Sequence, residues 1–138
     1  MSEESFDKQE LIQYRMERAR ETLRDARLLF DQSGSPASVV NRAYYAMFYS
    51  VLALLITVDK GTSKHSGVIA LFDEHFVKKG KFPKEISKAL HRAFDLRQIG
   101  DYRELLAVER DQAEEILSTS ERFVRDVDEY LKNEASPI

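Results

Sequence analysis

Residues 43–58 read AYYAMFYSVLALLITV, an uncharged run with apolar side chains on nearly every side of a helix. The run is shorter than the roughly 20 residues a bilayer span requires, and it carries three tyrosines, a serine and a threonine, so a buried helix of a soluble bundle explains it better. A helix that is apolar over most of its circumference must be covered from several directions, by other helices or by a second subunit. Val40, Tyr44, Met47, Val51, Leu54 and Leu55 form one side of it and Val39, Ala43, Ala46 and Phe48 the flanks. Whatever else the chain forms has to wrap this element.

The rest of the chain supplies the wrapping. Period-two alternation is nearly absent, and apolar residues recur at spacings of three and four. A first helix is expected over about residues 7–32, with Ile12, Met16, Ala19, Leu23, Ala26 and Phe30 on one stripe and Glu17, Arg20, Glu21 and Arg24 opposite. The segment SGSP at 33–36 ends it and starts the apolar helix, running to about 58, because glycine closes helices and proline suits a first turn. Thr62 or Ser63 is expected to cap a short third helix reaching about Val77. After KKGKFP a fourth helix runs to Gly100, a short turn is expected around 104–108, and a fifth helix spans about 109–133. The chain of 138 residues, 43% hydrophobic, suits one domain over residues 1–138 with its core at about 7–131. The expected fold is all-α, an antiparallel up-and-down bundle of four to five helices.

Charge and motifs exclude several functions. The net charge of −3 argues against a protein that coats nucleic acid, although bases outnumber acids from 60 to 103 and all three histidines fall there, which leaves room for a local anion site. Cysteine is absent, so there is neither a disulfide framework nor a thiolate metal site, and a reducing cytoplasm is the simplest home. The acidic N-terminus lacks the apolar run of a secretory signal. No Gly-rich phosphate loop, HExxH or GxSxG occurs, and His65, His75 and His91 are not at paired metal spacing. No metal and no cofactor is expected. Asp73, Glu74 and His75 are read as surface residues.

One residue breaks the pattern. Counting back from Arg97 in helical steps gives Ala93, Leu90 and Ile86, a core-facing row that ends in a permanent charge. Such a charge needs an acceptor, since burying it alone costs several kcal/mol. Asp101 and the hydroxyl of Tyr102 are local candidates. The alternative is an anion groove: Ser38, Asn41, Arg42, Tyr45 and Tyr49 form a polar stripe on the apolar helix, and Arg42 could converge with Arg97 on a phosphate.

The stretches NRAYYAMFY at 41–49, SKHSGVIALF at 63–72 and LRQIGDY at 96–102 resemble, in that order and spacing, the HEPN family, above all its small stand-alone bacterial and archaeal members. The resemblance covers nearly the whole chain. It implies a helical bundle that commonly forms homodimers, with a groove lined by the second and fourth helices. Many members are metal-independent RNases, and many pair as toxin and antitoxin with a minimal nucleotidyltransferase. In the RNases an arginine is followed four to six residues later by a histidine. Here Arg97 matches the arginine, but 101–103 read Asp, Tyr, Arg. The resemblance also sets Tyr102 against the tyrosine that partner nucleotidyltransferases modify with AMP in some members.

Three readings follow. The preferred one is a protein that binds nucleotide or RNA phosphate through Arg42 and Arg97, with Asn41, Tyr45, Tyr49 and His65 around the ligand, and acts with a nucleotidyltransferase. The second is an endoribonuclease toxin using Arg97, Asp101 and Tyr102, with His65 standing in for the absent histidine. The third is a non-catalytic dimeric interaction module.

Overall fold

The apolar run lies in α2 (Pro36–Thr57), which packs against all four of the other α-helices among the described residues. The computed structural model describes residues 3–100 and 108–135. Around α2 stand α1 (Glu3–Asp31), α3 (His65–Phe72), α4 (Lys84–Gly100) and α5 (Arg110–Ala135), and a π-helical turn, Asp73–Val77, continues α3. The result is the expected antiparallel all-α bundle, with no strand among the described residues. By length and composition α2 could cross a membrane, but 67% of its most apolar window is buried inside the bundle, as in the core helix of a soluble protein.

Small residues let the helices approach α2. Ala43, Ala46 and Ala53 of α2 and Ala113 of α5 have no exposed surface. Between α2 and α5 the buried Ser120 hydroxyl donates to the Ala43 carbonyl at 3.0 Å, so the polar atom on the α5 stripe is satisfied. The α1 stripe behaves as its spacing requires, with Met16, Ala19, Ala26 and Phe30 buried. Its charged side is not purely solvated. Arg20 donates to Asp128 at 2.8 Å, and Arg27 grips both oxygens of Glu121 at 3.0 and 2.7 Å, latching α1 to α5. Arg110 at the start of α5 lies 3.9 Å over the Phe30 ring.

The α1–α2 corner follows the expected stop and start, with one change of roles. The left-handed residue is Ser33, at φ 62°, rather than the glycine. Gly34 is needed for closeness instead, because a Cβ there would meet the Leu29 carbonyl oxygen at 2.9 Å. Ser35 then caps α2, its hydroxyl accepting from the Ser38 amide at 3.2 Å, and Pro36 opens the first turn.

The third helix departs further from expectation. Its cap position is Lys64, with no side-chain cap bond, so neither Thr62 nor Ser63 has that role; Thr62 only accepts a 3.4 Å bond from the Lys64 amide. The helix also widens at Asp73, where Lys78 and Lys81 amides bond back to the Asp73 and Phe76 carbonyls at 2.8 Å. Asp73 is no surface ornament. One carboxylate oxygen accepts from Ser87 at 2.6 Å and the other meets His91 Nε2 at 2.8 Å, tying the π turn to α4. The extra residue in the turn keeps both Phe72 and Phe76 in the core. They join Phe82, Phe123 and Tyr130 in an aromatic cluster that seats this segment on α5.

Candidate functional site

The Arg97 row is a core row. Ile86, Leu90 and Ala93 are buried, and Arg97 continues them on the last turn of α4, half-buried. One of its partners is Tyr45 on α2: Nη2 donates to the Tyr45 hydroxyl at 2.9 Å. The guanidinium also lies over two rings, 5.2 Å from the centroid of Tyr45 and 5.6 Å from that of Tyr44. The charge is therefore stabilised by a hydroxyl dipole and two aromatic faces. Asp101 and Tyr102, the sequence-predicted neighbours, lie outside the described residues.

The second part of the site is His65, the first residue of α3. Its Nδ1 sits 2.9 Å from the hydroxyl of Tyr44. Its ring stacks on Phe48 with centroids 4.1 Å apart and planes 13° from parallel, and the edge of Tyr45 approaches at 5.8 Å. Arg97 and His65 thus share one aromatic cage built on the Tyr44–Tyr45 pair, whose rings meet edge to face at 5.2 Å. Phe94 closes the cage from α4, 5.8 Å from Tyr44.

Burial and charge set the protonation states. Burial pushes the Tyr44 hydroxyl far above the usual phenol range, only partly offset by Arg97, so it keeps its proton. His65 is shifted the other way, first by burial and then by the positive Arg97, which favours the neutral imidazole. The sign of the linkage follows. Unfolded, the histidine titrates near 6.5 and binds more protons than when folded, so its contribution to stability is present above that value and is lost as pH falls through the lowered folded value. Between about pH 7.5 and 5.5 the wild type is expected to lose more thermal stability than His65→Gln, measured by calorimetry; parallel curves would contradict the shift.

The remaining predicted residues fall around this cage. Tyr49 stands next to Tyr45 with ring centroids 5.9 Å apart, and Arg18 of α1 covers it at 5.4 Å. Asn41 is half-buried and Arg42 exposed, the latter one turn before Tyr45 on the same side of α2. Arg42 and Arg97 stand on α2 and α4, the two helices expected to line the groove. Ser38 serves the α2 cap rather than the site. Three contributors escaped the sequence reading: Tyr44, placed there with the core, Phe94 and Arg18. The available signal was Tyr44 itself, since a tyrosine on a core face needs a partner for its hydroxyl. Among the described residues no three His, Cys, Asp or Glu side chains gather in a way that could hold a metal ion.

What this arrangement offers is a fixed, planar cation suited to phosphate oxygens, aromatic surface beside it, and a neutral imidazole within the same cage. The family model described as HEPN domain matches residues 12–130. A UPF0332 protein of Thermotoga maritima is 41% identical over 127 residues, covering 92% of this chain and 96% of that one. Another UPF0332 protein, from Gloeobacter violaceus, is 37% identical over 84% of this chain and 92% of its own. A Methanocaldococcus jannaschii protein named "Putative toxin" is 36% identical over 91% of this chain and 92% of its own.

Proposed function

The chain belongs to the HEPN domain family, and from that premise we propose that it binds the phosphate of RNA or of a nucleotide at Arg97, in a toxin-type role. The single observation that carries this reading is the Arg97 guanidinium held against Tyr44 and Tyr45, a cation oriented by rings and a hydroxyl on the groove between α2 and α4. Arg42, exposed one turn along α2, adds positive charge that steers an anion toward it. Tyr45 and Tyr49 supply faces on which a base can stack. Two relatives bearing toxin names support the biological role. The working unit is a homodimer, and its partner is a minimal nucleotidyltransferase that restrains it.

A second reading, metal-independent cleavage of RNA, is favoured by one observation, the imidazole of His65 set against the same Tyr44 and Tyr45 rings as Arg97. In that reading Asp101 and Tyr102, which lie outside the described residues, would share the chemistry with Arg97.

Isothermal titration tests the binding reading. Short single-stranded RNA or ATP is expected to bind the protein, with affinity that falls as salt rises. Absence of binding of either, by the protein alone and by its complex with a co-expressed nucleotidyltransferase, would overturn it.

A further inference from the structure

The hydroxyl of Tyr44 is buried with the rest of its side chain, which has no exposed surface, and the partner it finds is an imidazole nitrogen. A phenylalanine would fill the same volume without a polar atom to satisfy. The histidine it meets is only half-buried and is fixed by two contacts at right angles to each other in function: the hydrogen bond at Nδ1 sets its rotation, and the stack on Phe48 sets its plane. No hydrogen bond engages the other nitrogen, Nε2, among the described residues. Resting on the phosphate-binding reading above, we propose that His65 is the proton-transferring residue of the Arg97 site and that Tyr44 is the residue that positions it.

The chemistry follows from the placement. Arg97 lies over the Tyr44 and Tyr45 rings that also contact the imidazole, so a phosphodiester on the guanidinium stands beside His65. The step uses the tautomer in which Nδ1–H donates to the Tyr44 hydroxyl oxygen, which leaves the lone pair of the neutral imidazole on Nε2, free to accept a proton. A ribose 2′-hydroxyl then gives its proton to the imidazole while its oxygen bonds to phosphorus. The bond from phosphorus to the 5′-oxygen breaks, and the leaving oxygen takes the proton back from the imidazolium through a water. The products are a 2′,3′-cyclic phosphate and a 5′-hydroxyl, with no net change in protons. The same burial and the same Arg97 charge that favour the neutral ring keep it ready to accept.

The rival role for His65 is packing, as a ring that fills space beside Phe48. The two differ in what survives substitution. Single-stranded RNA cleavage is measured without metal for the wild type, His65→Gln, His65→Phe and Tyr44→Phe, together with binding of the same oligonucleotide carrying 2′-deoxy sugars. His65→Phe retains the stack and so guards against loss of fold. Both His65 variants are expected to bind the deoxy oligonucleotide like the wild type and to cleave RNA about 100-fold more slowly or worse. Tyr44→Phe is expected to lower kcat with KM unchanged, because the bond that holds the imidazole in the proton-accepting tautomer is gone. Wild-type rates in either His65 variant would overturn the proposal. So would a wild type that binds the deoxy oligonucleotide but cleaves no RNA, although Arg97 would then stand as a binding site. A wild type that binds nothing would remove both readings together.

Discussion

Phe123→Ala is expected to lower the free energy of unfolding by about 3–5 kcal/mol. The residue has no exposed surface and stands at the meeting of three segments. Its ring packs edge-on against Phe72 at 5.6 Å and Phe82 at 5.7 Å, so α5, the end of α3 and the loop leading into α4 all lose contacts when it is cut back. The surrounding rings are too stiff and too large to close the space, which puts the cost toward the upper part of the range for aromatic truncations. The effect should reach the functional cage as well. α3 begins at His65 and is seated through Phe72 and Phe76, so a loosened cluster frees the far end of the element that carries the imidazole. Denaturant titration checks this; a loss below about 1 kcal/mol would mean that the cluster repacks and is not the anchor of α3.

Arg97→Ala has the largest expected effect on function. Hydrogen bonds from a charged group contribute about 1.5–3 kcal/mol, so its removal should weaken RNA binding by roughly ten- to a hundredfold. Because one phosphate contact is lost, the slope of log affinity against log salt should become shallower by about 0.7, the value for a single strand. Arg97→Lys keeps the charge but loses the planar fork and much of the stacking on Tyr44 and Tyr45, and should fall between the two. Stability should change little in either direction, since the side chain is only half-buried and ends its row rather than interrupting it.

Much of this molecule is written locally. The apolar circumference of α2 demanded surrounding helices, and the α1 stripe and the SGSP corner followed from spacing and turn chemistry. Arg97 announced itself as a charge closing a core row, and its hydroxyl partner, Tyr45, was on the polar stripe already singled out. The features that could not be read are those set by distant parts of the chain. Tyr44 and His65 are 21 positions apart across a loop, and nothing in either neighbourhood says that their polar atoms will meet. The π turn at Asp73 is likewise stabilised by Ser87 and His91 on another helix, so the local period gives no warning of it. The cap of α3 was misplaced because a threonine and a serine stand just before a helix that in fact starts at His65, without a side-chain cap.

The measurement that bears most directly on the site is fluorescence anisotropy of a labelled single-stranded RNA with wild type, Arg97→Lys and Arg97→Ala at two salt concentrations. Binding that weakens in that order, with the shallower salt slope in Arg97→Ala, is the predicted result. Equal affinity and equal slope for wild type and Arg97→Ala would contradict the account, and the arginine at the end of the α4 row would then be a structural cation held by its tyrosines.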